Sequence, residues 1–175
     1  EQDLINGHHD LILTTQPILS KELMVTPLFS EPLMLVIAKD HRLAKKERIN
    51  RSDLFGEQVL TIGEHHLFHR QISDLCQRVG ASVRRDYEGT SLDTLRHMVV
   101  MGMGIAFLPA LYVKSEIRER DELRITEVKG ISERRAHVLA WRSSSPARGL
   151  FKSLGDGIKT IARNNLQDVL TISRT

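Results

Sequence analysis

Residues 90–109 read TSLDTLRHMVVMGMGIAFLP, and the fold turns on how this stretch is read. Thr90, Ser91 and Asp93 supply the cap and first-turn chemistry of a helix N-terminus. There, side-chain oxygens accept from backbone N–H groups that have no partner inside the helix. Leu92, Leu95, Met98 and Val99 follow on one face at the 3.6-residue period. Gly102 and Gly104 end that helix and turn the chain. Residues 105–108 are a short apolar run, which Pro109 cannot continue. A helix feeding a short buried strand is the working unit of an α/β domain. Its polar N-terminus aims backbone N–H groups at whatever lies above it.

The same alternation extends in both directions. Upstream, residues 58–62 (QVLTI) read as a strand and residues 83–87 as another, carrying Arg84 and Arg85. Between them, Phe68, Ile72, Leu75, Cys76 and Val79 lie on one helical face, and Gly80 is a natural stop. Residues 50–54 read as a short helical turn. Residues 33–38 (LMLVIA) are the most continuous apolar run and predict a strand buried on both faces, as in a largely parallel sheet. A turn at 29–32 separates that run from a short extended piece at 22–28. Downstream, residues 111–117 read as a short helix. Residues 123–128 and 136–141 read as strands joined by a polar turn at 130–135. Residues 150–170 have helical apolar spacing at Leu150, Leu154, Ile158, Ile161, Leu166 and Val169, weakened by Gly155 and Gly157. Residues 4–7 read as the last turn of a helix and 10–13 as the strand after it, so the chain is expected to be N-terminally truncated. This order predicts an α/β fold with ligands at the carboxyl ends of strands.

The 175 residues suffice for one ordinary domain or two small lobes. Aromatic content of 5% makes the core mostly aliphatic. A net charge of +3, with 22 acidic residues interspersed among 25 basic ones, is too weak to argue nucleic-acid binding by this chain. One cysteine excludes an internal disulfide and fits a reducing cytoplasm. No run approaches the roughly 20 apolar residues of a membrane span.

A zinc reading of His65 and His69 is weak, because His65 and His66 precede the helix start and no second cysteine supports a site. Cys76, between Ile72 and Val79 on an apolar face, reads as a core cysteine. Hydrolase, metalloprotease and phosphate-loop motifs are missing, and Gly102-x-Gly104 follows a helix, not a strand, so it is turn chemistry. What remains is a set that can line a cleft: Thr14 and Thr15, His66 and its neighbours, Thr90 and Ser91. Arg135, placed in the turn before a strand, can reach it. Hydroxyls, imidazole and helix N-termini suit a small polar or anionic ligand and supply no acid–base pair. The residues favour a binding module over an enzyme.

The 90–109 stretch resembles the effector-binding domain of LysR-type transcription regulators, which carry a polar T/S-x-x-x-L stretch and then G-x-G-I-x-x-L-P. Supporting matches are INGHHDLIL, PLFSEPLMLVIAKDHRLA and Trp141-Arg142, with Arg42 where the family has proline. The resemblance spans essentially residues 2–161. Within the family the chain is most similar to the hydrogen-peroxide-sensing branch, through FGEQVLTIGEHHLFHRQISDLCQRVGA, GTSLDTLRHMV, FLPALYV and ERRAHVLAWR. In that branch a reactive cysteine follows a histidine, and a resolving cysteine lies nine residues later. Here His66 and Cys76 match the histidine and the resolving cysteine, but Leu67 stands at the reactive position and cannot form a sulfenate or disulfide. Arg70 stands where the branch has an acidic residue, and Arg135 matches an arginine of its peroxide pocket.

The resemblance implies two Rossmann-like lobes of the type II periplasmic-binding-protein kind, the first incomplete (residues 1–30 and 138–175) and the second at 31–137. It implies a regulatory module, not an enzyme, with no cofactor or metal. Its effector residues would be Thr14, Thr15, His66, Leu67, Arg70, Thr90, Ser91 and Arg135, with Cys76 inert. Partners would be a small-molecule effector or peroxide, DNA through a missing helix-turn-helix domain, RNA polymerase, and further copies in a homodimer or homotetramer. The setting would be cytoplasmic and away from membranes. A paralogue sensing something else is favoured over a state-locked or engineered peroxide sensor. The alternatives are a solute-binding receptor of the same fold and an enzyme on it, such as an aromatic-acid dehydratase.

Overall fold

The computed structural model describes residues 1–86, 89–117 and 122–173. It divides into two units, Glu1–Pro32 with Arg134–Thr175, and Leu33–Glu133. The sequence boundaries at 30/31 and 137/138 put Glu31, Arg135 and His137 in the second lobe. These residues fall in the first unit, because a strand ladder continues through them.

The first unit is an antiparallel sheet with helices on its faces. β1 (Ile12–Thr15) pairs with β7 (Arg134–Arg142), and β7 pairs with β2 (Leu23–Ala38) as far as Pro32 opposite Arg134. β8 (Thr171–Ile172) adds to β2 at Phe29 and Ser30. The turn expected at 29–32 does not exist. β2 runs straight through it, with a register shift between Pro27 and Phe29 that absorbs the irregularity. Helix α1 (Gln2–Ile5) sets Leu4 against Leu23 and Ala140 on one face. Arg142 fixes that end, donating to the carbonyls of Leu4 (2.6 Å) and His9 and to Asp10 Oδ1 (2.8 Å).

Helix α5 (Arg148–Leu166) covers the other face, where Phe151 meets Trp141 with ring centroids 5.8 Å apart. The buried face of α5 is Phe151, Gly155, Lys159 and Ala162. Leu150 and Ile161, expected to pack, are 69% and 63% exposed. The face that packs is the one carrying Gly155, where a Cβ would meet Thr26 Cγ2 at 3.4 Å and Leu139 Cδ1 at 3.5 Å, an ordinary contact, and Leu150 and Ile161 lie off that face.

The second unit holds a mixed sheet and the larger core. Here β2 lies between β5 (Ile105–Pro109) and β6 (Leu123–Thr126), antiparallel to both. Leu35, Val36 and Ile37 are buried, as a strand covered on both faces requires, but the expected parallel pairing of this strand is wrong. The parallel part is β5 with β3 (Gln58–Leu60) and β3 with β4 (Ser82–Val83). Tyr87, the last residue of the strand expected at 83–87, lies outside the described residues. Helix α2 (Leu67–Val79) connects β3 to β4 and ends at Gly80, whose φ of 72° is the left-handed cap that glycine favours. Helix α3 (Leu92–Val100) connects β4 to β5, and α4 (Ala110–Glu116) follows Pro109. No described helix is long and apolar enough to cross a membrane.

Candidate functional site

The order β5-β3-β4 sends the chain one way from β3 to β4 and the other way from β4 to β5. Right-handed crossovers then place α2 and α3 on opposite faces, with a topological switch point at the carboxyl end of β3. Beyond β3, Ile62 bridges Gly89 in parallel, and Gly89 N–H donates to the Thr61 carbonyl (3.1 Å). These two links tie the segment entering α2 to the segment entering α3. His66 and Leu67 are thereby held in the same part of the second unit as Thr90 and Ser91.

The two helix starts differ in chemistry. Ser91 Oγ caps α3, accepting from Thr94 N–H at 3.2 Å, and Thr94 Oγ1 lies 3.1 Å from Ser91 Oγ and 3.3 Å from Thr90 Oγ1. Asp93 sits in the first turn and accepts from Tyr112 Oη at 2.6 Å. Burial and then this bond to Asp93 push the Tyr112 phenol up to about 12. Helix α2 is capped by His66 without a side-chain bond and has no acidic residue in its first turn. Its positive dipole end is therefore uncompensated by a nearby carboxylate in that turn, and Arg70 adds to it.

Leu67, the first residue of α2, is 45% exposed, and the His65 and His66 rings lie against each other, tilted by 40° with centroids 4.1 Å apart. His69 Nδ1 is 3.0 Å from the Ile62 carbonyl, which ties the helix back to the strand end. Among the described residues no three His, Cys, Asp or Glu side chains converge as metal ligands.

Cys76 lies on the inner face of the same helix and is 2% exposed. A surface cavity of about 350 Å³ lies beside it, lined by Cys76 with Ser73, Ser82 and Arg85. Burial pushes its thiol from 9.0 up to about 11. Thr61 was not singled out in the sequence. The residue is 1% exposed, and its buried hydroxyl meets no hydrogen-bond partner among the described residues. Thr94 was missed too, because only the folded helix shows it bridging the two hydroxyls ahead of it.

Three expected residues belong to the first unit. Thr14 pairs with Val138 and Thr15 with His137, so the two threonines point to opposite faces of β1. Only Thr15 shares a face with Arg135 and His137. Arg135 is not in a turn. It is the second residue of β7, paired with Glu31, because the β2–β7 ladder extends through the region read as a loop.

The family model for the LysR substrate binding domain matches residues 1–160. A hydrogen peroxide-inducible genes activator from Pectobacterium carotovorum subsp. carotovorum is 39% identical over 140 residues, covering 80% of this chain and 46% of that protein. The DNA-binding transcriptional dual regulator OxyR of Escherichia coli K12 is 34% identical over 167 residues, covering 95% of this chain and 54% of that one. The chain thus spans about half the length of these relatives. A crystal structure of the reduced form of OxyR superimposes with a TM-score of 0.81 at 32% identity, covering 94% of this chain and 77% of that one.

Proposed function

This chain belongs to the LysR substrate-binding domain family, and on that premise we propose that it is the effector-sensing module of an OxyR-like transcription regulator. The observation that carries the reading is the junction of two helix starts at the end of β3, with His66 and Leu67 on one and Thr90 and Ser91 on the other. Backbone N–H groups, an imidazole, three hydroxyls and an exposed aliphatic side chain suit a small polar or anionic effector with an apolar part. Arg70, at the α2 start, belongs to this set, and Thr14, Thr15 and Arg135 are proposed effector residues of the first unit by itself.

The mechanism differs from thiol–disulfide switching. Leu67 offers no sulfur, and Cys76 is the chain's one cysteine, buried with its thiol proton held. An effector that binds one conformation better than another shifts the population toward it. In the whole regulator that shift would reposition DNA-binding domains carried outside this chain, in a homodimer or homotetramer in the cytoplasm that contacts RNA polymerase. In this reading the module binds its effector and performs no chemistry.

A thermal-shift screen of the chain against small organic acids and hydrogen peroxide tests it. Ligands that raise Tm in the wild type and fail in Ser91→Ala and His66→Ala support the site. A peroxide-dependent covalent change, or turnover of a hit, would overturn the reading.

A further inference from the structure

We propose that Glu31 is a positioning residue for Arg135 and that His137 fixes Glu31 in turn. The functional consequence, though not the geometry, rests on the effector role of Arg135 proposed above.

Glu31 of β2 stands directly opposite Arg135 of β7, and Phe29 stands opposite His137. Residues two apart on a strand share a face, and direct cross-strand partners do as well. These four side chains therefore form one quartet on one side of the ladder, with Thr15 next to His137 on the following strand. The Glu31 side chain is 2% exposed. A carboxylate so far from water persists only with close partners. One is His137, whose Nε2 lies 2.6 Å from Glu31 Oε1. The imidazole is itself held by the Phe29 ring, with centroids 4.9 Å apart at an interplanar angle of 31°.

The other partner is Arg135. Burial lowers its guanidinium below the ordinary value, and attraction to Glu31 opposes that change. The neighbouring Arg134 has a different task on the opposite face. It donates to Ser30 Oγ, the Ser30 carbonyl and Thr171 Oγ1, each at 2.9 Å, and so ties β8 to the sheet. Two adjacent arginines are thus divided between fastening the sheet and standing over a fixed carboxylate. A guanidinium held by a charge that is itself held loses little freedom when a ligand arrives.

The test follows the Arg135 Nε–Hε resonance by ¹⁵N NMR in the intact chain. In the wild type it should be distinct and slow to exchange with water. Glu31→Gln should move it toward the position of exposed arginines and speed its exchange by about tenfold or more, the loss of a charge-assisted contact. The β7 backbone amides should stay in place. Glu31→Asp, which keeps the charge and shortens the reach, gives a smaller change of the same sign and serves if the Gln variant does not fold. His137→Asn should fall between. An unmoved Arg135 resonance in Glu31→Gln, with only Tm reduced, would overturn the proposal by showing a purely structural ion pair. Acetate and hydrogen peroxide titrated into the wild type separate the two readings. If neither moves the resonance while Glu31→Gln still frees it, the positioning stands and the effector role of Arg135 falls.

Discussion

Cys76 should resist thiol reagents in the folded chain. The perturbation is alkylation by iodoacetamide at pH 8, native against urea-unfolded. An ordinary thiol at 9.0 is about one-tenth thiolate at pH 8, whereas one at about 11 is about one-thousandth thiolate. Ionisation alone therefore slows the native reaction about a hundredfold. Exposure of 2% slows it further, since the reagent needs a local opening of α2 to reach the sulfur. Intact-mass spectrometry over time reads both rates. The sign extends to stability. A thiol whose proton is held more tightly when folded contributes stability that is whole below pH 9.0 and is lost as pH rises toward about 11, so urea midpoints should fall across that window. A native alkylation rate within tenfold of the unfolded one, or rapid sulfenylation at low peroxide, would refute the reasoning and reopen a redox role for this residue.

Four further substitutions probe the packing and a helix cap, each read from urea midpoints. Gly104→Ala should cost about 1–3 kcal/mol, because its Cβ would meet the Gln58 carbonyl oxygen at 2.8 Å and Leu60 Cγ at 3.1 Å. Ser91→Ala should cost about 1 kcal/mol by removing the cap on Thr94 N–H. Phe151→Ala should cost about 3–5 kcal/mol through its contact with Trp141, while Ile161→Ala, on the exposed face of the same helix, should stay within about 0.5 kcal/mol. Equal effects at 151 and 161 would show that α5 is rotated from the position described.

Local chemistry was legible from residues alone. Ser91 as a cap, Gly80 as a helix end and the single apolar face of α2 follow from rules that act within a few positions. Pairing was not. A proline and a glutamate in sequence suggested a turn at 29–32, yet Pro32 and Glu31 extend a strand, since β7 is present to pair with them. Proline lacks a donor and is tolerated at the point where β2 passes from one unit to the next. Of the candidate site, the residues at the helix starts were readable as types. Their grouping depends on the Ile62–Gly89 bridge, a contact between residues 27 apart in sequence.

The sequence by itself determined the α/β class, the helix starts and stops, the family resemblance and the loss of a thiol at position 67. These depend on composition, periodicity and motif, which are properties of short windows. Tertiary structure decided which face of α5 is buried, that residues 33–38 pair antiparallel, and that Arg135 sits across from a buried Glu31. Each is a relation between segments far apart in the chain. Gly155 shows the difference most plainly. By propensity it weakens a helix, yet in the fold it lies on the buried face of α5, over Leu139 and Thr26, while Leu150 and Ile161 face outward.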